Sequence, residues 1–136
     1  MDPVVHFEIH ADEPDRALDF YSRAFGWSVA RMGDDDYWLA TTSDGQRTGI
    51  NGALIRRRGP RPAIGAPVVG AVITVQVDDL DATIERVCKL GADVALARSA
   101  IPGVGAVAYI HDTEANVIGV FQPLPRGAGS SSDATS

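Results

Sequence analysis

Sliding the sequence by 66 places lays Val72–Leu90, VITVQVDDLDATIERVCKL, over His6–Ala24, HFEIHADEPDRALDFYSRA. Asp12 then meets Asp78, Leu18 meets Ile84, Tyr21 meets Val87 and Ala24 meets Leu90, so the apolar spacing is kept between the copies. A repeat of this length is too long for a solenoid unit and too short for an ordinary domain, so it predicts one compact domain built from two similar halves.

Within the first copy, Val5, Phe7 and Ile9 alternate with His6, Glu8 and His10, the period-two pattern of a half-buried strand with one apolar and one titratable face. Pro14 suits the first position of a helix. Ala17, Leu18, Tyr21, Ala24 and Phe25 then recur at helical spacing until Gly26. Trp27–Met32 and Asp36–Ser43 read as a hairpin and Gly49–Arg56 as a further strand, giving βαβββ for residues 4–56. Residues 57–69, rich in proline and glycine, read as a linker, with Arg56, Arg57 and Arg58 at its solvated edge.

The order then repeats over residues 70–123: strand Ala71–Val77, helix Leu80–Leu90, and strands Ala92–Ala97, Ala106–Asp112 and Asn116–Gln122. The expected architecture is α+β, two βαβββ modules within one domain over residues 4–123. Residues 124–136, small and polar without periodicity, read as a disordered tail.

A chain of 136 residues with 45% hydrophobic content is long enough for one core of normal size. The net charge of −6 argues against nucleic acid, because phosphate binding needs a basic surface. No apolar run approaches the roughly 20 residues that span a bilayer, and the start lacks a basic region followed by an apolar one. The expectation is therefore a cytoplasmic protein with no membrane partner. Cys88 is the single cysteine; one turn from Ile84, it reads as a buried structural thiol.

Two βαβββ modules, together with DEPDRALDFYSRAFGW, VDDLDATIERVCKLGA and the closing DTEANVIGVFQP, resemble the vicinal oxygen chelate superfamily. This superfamily includes glyoxalase I, the bleomycin-resistance proteins and the extradiol dioxygenases. DTEANVIGVFQP is similar to the family's Asp-Pro-Glu-Gly-Asn turn and last strand, with Thr113 and Ala115 in place of Pro and Gly. The resemblance implies curled sheets, each backed by its helix, and a concave cleft for a metal or small ligand.

In metal-dependent members, four ligands, mostly His and Glu, stand on the first and last strands of each module. Carried over, these positions fall on His6, on Val72, on or about Gly119, and near Asn51 or Gly52. Valine and glycine side chains offer no donor, so no cofactor is expected, and a divalent metal is disfavoured. Strand alternation places Glu8 and His10 with His6 and, through the repeat, Thr74 and Gln76 with Val72. Trp38, a packing aromatic that a flat ligand can also rest against, and Asn51, at the fourth-strand position, join them. The ligand-binding candidates are therefore His6, Glu8, His10, Trp38, Asn51, Thr74 and Gln76.

Whether His6 and Glu8 satisfy each other or orient a ligand is open at this point. His111 reads as a structural residue before the closing turn. No nucleophile or second carboxylate is placed to complete a mechanism, so catalytic residues are unassigned and enzymatic activity is left open. The resemblance implies a small-molecule-binding protein without the family metal, forming a homodimer. The alternatives are a metal-dependent lyase, isomerase or dioxygenase, and an accessory or regulatory module.

Overall fold

The computed structural model describes residues 1 and 3–125; most of the expected tail, 126–136, lies outside the described residues. The described residues form two compact units: those of 1–66 together with Asp112–Asn116, and Pro67–His111 together with 117–125.

The first unit holds β1 (Glu8–Ala11), α1 (Pro14–Phe25), β2 (Ser28–Arg31), β3 (Tyr37–Thr41) and β4 (Gly52–Arg56). Its sheet has the order β1-β4-β3-β2, with β1 parallel to β4 and the other pairs antiparallel. The second unit repeats this with β5 (Thr74–Gln76), α2 (Leu80–Lys89), β6 (Asp93–Ile101), β7 (Gly105–His111) and β8 (Val117–Pro123), in the order β5-β8-β7-β6. Glu8 pairs with Ala53 and Thr74 with Gly119, so the 66-residue offset holds on both strands of the parallel pair.

Strand alternation divides each sheet into two faces. In the first, Ile9, Ala11, Trp38, Ala40 and Leu54 are buried on the side of α1, whose Ala17, Phe20, Tyr21 and Ala24 complete the core. Tyr21 stacks on Trp27 at 4.8 Å between ring centroids. Burying Phe20 or Leu54 contributes about 1.5–3 kcal/mol each. In the second unit, Ala106, Ala108, Ile110, Ile118 and Val120 are buried on the α2 side.

The helices are delimited as their sequences predict. Pro14 opens α1, and Gly26, at φ 73°, closes it in the left-handed region with its N–H on the Ser22 carbonyl. Asp79 caps α2 by accepting from the Ala82 N–H at 3.0 Å.

Four expectations change. Trp38 is buried beside Leu54 on the α1 face, with the Arg31 guanidinium 5.1 Å from its ring, so alternation removes it from the face of His6 and Glu8. Cys88 is exposed, because the buried stripe of α2 runs through Leu80, Thr83 and Val87, and Cys88 lies one residue past it. β6 extends to Ile101, four residues beyond its expected end, because it stays paired with β7 through two register shifts. Arg57 is not a solvated linker residue: its side chain is only 15% exposed, and its Nε and Nη2 donate to Asp12, Asn116 and two backbone carbonyls.

Candidate functional site

The face of the first sheet turned away from α1 carries Glu8 and His10, both exposed, with Tyr37, Leu39, Ala53 and Ile55 beside them across the ladder. His6 precedes the strand on the same side: the Tyr37 hydroxyl lies 3.3 Å from its Nε2. The Glu8 carboxylate is 3.8 Å from that nitrogen, too far for a hydrogen bond, so His6 and Glu8 do not saturate each other. Both side chains are nearly half exposed, so each can be reached from solvent.

Asn51 serves its own loop instead. Its Oδ1 accepts from the N–H groups of Thr42 and Ser43 at 2.9 and 3.2 Å. The register also moves the fourth-strand metal position. The residue equivalent to Gly119 is Ala53, since each is the partner of its first strand at the same repeat position. Gly52 points to the other side, where a Cβ would come within 2.6 Å of the Phe7 ring.

In the second unit, Thr74 and Gln76 are exposed on the face turned away from α2, which also carries Val107, Tyr109, His111, Gly119 and Phe121. A Cβ on Gly119 would lie 2.5 Å from the Thr74 Oγ1, so the hydroxyl occupies the room where a side chain would begin. His111 is not merely a turn residue: its Nδ1 lies 2.6 Å from Asp93 Oδ1.

The family metal does not fit these residues. Of the four positions only His6 has a donor; Val72, Ala53 and Gly119 have none, and Thr74 fills the space at Gly119. Among the described residues no group of three or more His, Cys, Asp or Glu side chains is arranged to hold a metal ion.

The end of β1 is fixed by a polar cluster that the sequence does not announce as one. Glu114, fully buried, accepts from Arg16 Nε at 2.7 Å and Nη2 at 3.2 Å, from the Glu13 N–H at 2.9 Å and from the Thr113 hydroxyl at 2.8 Å. Asp112 Oδ2 accepts from the Tyr21 hydroxyl at 2.6 Å, while Oδ1 accepts from the N–H groups of Glu114 and Asn116. Arg57 donates to Asp12, to the carbonyls of His10 and Glu114, and to Asn116 Oδ1. Asn116 Nδ2 donates to the His10 carbonyl at 2.8 Å, so the strand end that presents Glu8 and His10 is gripped by two side chains.

The cluster sets its own charge states. Burial works to raise the Glu114 pKa but is outweighed by hydrogen bonds from Arg16, the Glu13 N–H and Thr113 and by the Arg16 charge, so the carboxylate is held below its ordinary range. Burial raises Asp112, only partly opposed by hydrogen bonds from Tyr21, Asn116 and the Glu114 N–H. Burial, then the Asp112 charge and hydrogen bond, push the Tyr21 hydroxyl well above its usual value, keeping it a donor. The signal in the sequence is DTEAN itself, two carboxylates in a tight turn between apolar strands.

Two βαβββ units, each a sheet with one helix-backed and one open face, define a glyoxalase-type protein. Residues 4–120 match the family described as the Glyoxalase/Bleomycin resistance protein/Dioxygenase superfamily, and the chain belongs to it. A glyoxylase-like domain-containing protein of Didymella fabae is 33% identical over 111 residues, covering 80% of this chain and 84% of that protein. CFP32 of Mycobacterium tuberculosis, a candidate glyoxylase, is 29% identical over 122 residues, 88% of this chain but 43% of its own length. The chain thus spans less than half of that mycobacterial relative.

Among solved structures, a glyoxalase family protein from Bacillus cereus has a TM-score of 0.69 at 18% identity, covering 89% of this chain and 93% of that one. TnmS3, an antibiotic binding protein from Streptomyces sp. CB03234, has a TM-score of 0.64 at 21% identity, covering 90% and 97%. At these identities the two structures share its fold.

Proposed function

We propose that the protein binds a small organic molecule without a resident metal ion, on sheet faces left open by α1 and α2. The observation that carries this reading is the donor set. Family metal chemistry needs at least three protein ligands, whereas His6 stands alone among Val72, Ala53 and Gly119. What remains on each open face suits an organic ligand: in the first unit His6, Glu8 and His10 stand with Leu39 and Ile55, and in the second Thr74 and Gln76 stand with Tyr109 and Phe121, each pairing hydrogen-bonding groups with apolar surface. TnmS3, an antibiotic binding protein of the same fold, supports the same class of ligand. We propose in addition that two copies associate through β6, an exposed edge strand of the second sheet.

The test has two arms. Protein purified without metal-affinity steps should contain less than about a tenth of an equivalent of transition metal and show no change in Tm with zinc or nickel, since a ligand binding only the folded state must raise it. Stoichiometric metal that disappears in His6→Ala would return the chain to the metal-dependent lyases, isomerases and dioxygenases. In the second arm, the protein is heated with a library of small organic compounds. A compound at a hundredfold its Kd raises stability by about 2.7 kcal/mol, and a library that shifts nothing counts against the reading.

A further inference from the structure

Asp93 opens β6 and His111 closes β7, and the register pairs them directly, so both side chains stand on one face of the sheet. Alternation along β7 sets this face: Ala106, Ala108 and Ile110 are buried toward α2, and His111 projects with Val107 and Tyr109 on the other side. The 2.6 Å contact from His111 Nδ1 to Asp93 Oδ1 fixes the tautomer. A carboxylate only accepts, so the ring proton sits on Nδ1, and the neutral imidazole has its lone pair on Nε2.

The His111 side chain is only 11% exposed, yet Nε2 has no hydrogen-bond partner among the described residues. Every fully buried side-chain nitrogen or oxygen there does have a partner, so Nε2 is not sealed from solvent. The arrangement is a largely covered, carboxylate-held imidazole with one nitrogen left without a protein partner. Val117 lies beside it on β8, so no second charged side chain from that strand competes for Nε2. Further along the same face Gly119, buried and without a side chain, lies between Tyr109 and Thr74, and Phe121 lies between Val107 and Gln76.

We propose that His111, oriented by Asp93, is the proton-accepting group of a binding site on this face, and that the site takes a small flat organic molecule through an acidic hydroxyl. In the step, the ligand O–H bond breaks, its electron pair stays on the ligand oxygen, and the proton goes to Nε2. The Asp93 carboxylate stabilises the imidazolium, and the phenolate or enolate remains paired with it. Tyr109, two residues before His111 on the same face of β7, supplies a flat wall beside it. The proposal rests on the small-molecule reading given above and assigns it a group and a ligand class. Asp93 is a positioning residue; His111 is the one that touches the ligand.

The probe is 4-nitrophenol, whose ionised form absorbs visible light and whose neutral form does not, buffered below its own pKa. Equilibrium dialysis of the full chain measures total binding, and visible absorbance measures the ionised fraction. The expected result is saturable binding with appearance of nitrophenolate. The signal should fall roughly tenfold or more in His111→Gln, the size of one lost charge-assisted hydrogen bond, and by less in Asp93→Asn, with partial recovery in Asp93→Glu. Asp93 is largely exposed and supplies a second variant should His111→Gln misfold. Binding without nitrophenolate, or nitrophenolate unaffected by both substitutions, overturns the dyad while the broader reading stands. No binding in dialysis overturns it as well, and the compound library then decides the broader reading separately.

Discussion

At Glu114 a carboxylate with no exposed surface meets four donors, and at Asp112, two residues away, burial and hydrogen bonding pull in opposite directions. The Tyr21 hydroxyl is the shortest contact to Asp112, and Tyr21→Phe leaves Oδ2 with Asn116 Nδ2 alone. A buried hydrogen bond to a charged group contributes about 1.5–3 kcal/mol, so calorimetry should show a Tm fall of roughly 5–10 °C. A change near zero would mean that Asp112 is neutral and indifferent to the phenol.

The two carboxyls also bend the acid limb of stability oppositely. The depressed pKa of Glu114 contributes stability above its unfolded value that is lost as pH falls through the folded one. Asp112, raised, binds its proton more tightly when folded, so its contribution is present at low pH and fades as pH rises. Urea titrations at a series of acidic pH values should therefore give a shallower slope of stability against pH for Glu114→Gln and a steeper one for Asp112→Asn. The same direction of change in both would contradict these assignments.

The helices begin by different means, and the difference is measurable. Asp79 accepts a hydrogen bond at the start of α2, so Asp79→Ala should cost about 1 kcal/mol in urea unfolding. Glu13, in the corresponding place before α1, makes no side-chain cap, and its exposed pair with Arg16 is the kind that contributes little. Glu13→Ala should change stability by roughly 0.5 kcal/mol or less; equal losses at the two positions would refute the distinction. Most of this level was legible in the sequence. Pro14 and Gly26 at α1, the alternation over Glu8–Ala11 and the 66-residue repeat each follow from local backbone and patterning rules; Val5, expected on the packed face, instead lies exposed ahead of β1, and α2 starts on the Asp79 cap without a proline.

What the sequence hid is what depends on partners distant along the chain. Trp38 falls in the expected strand, but its direction follows only from pairing with Leu54. Arg57 looked solvated beside prolines, yet its guanidinium reaches Asp12 and Asn116. Asn51 stood at a family ligand position but is spent on the loop amides of Thr42 and Ser43. His111 looked like turn material because Asp93 is 18 residues earlier. The candidates His6, Glu8 and His10 were recoverable because alternation alone puts them on one face.

For the whole molecule, the exposed edge at β6 governs behaviour in solution. This strand is an edge of its sheet, nine residues long, with Leu96 64% and Val94 43% exposed. An edge this long and apolar invites pairing, and a second copy of the chain is the partner proposed for it. The native chain should elute with the mass of a dimer at micromolar concentration, and Leu96→Lys should shift it toward monomer by placing a charge on that edge. A monomeric native chain would refute the proposal.

The Asp112–Asn116 turn lies between β7 and β8 in sequence but belongs to the first unit in space. The repeat thus records two equal halves, but the halves are not separable parts. A first half alone would hold the donors of Arg16, Tyr21 and Arg57 without the acceptors that residues 112–116 bring to them. Recombination between relatives that exchanged everything after the linker would carry in a foreign turn, and the exchange could succeed only where that turn fits the recipient's β1–α1 junction. In such a lineage the halves are free to diverge on their open faces, as His6 and Val72 have, while these five residues must change in step with a surface far away in the sequence.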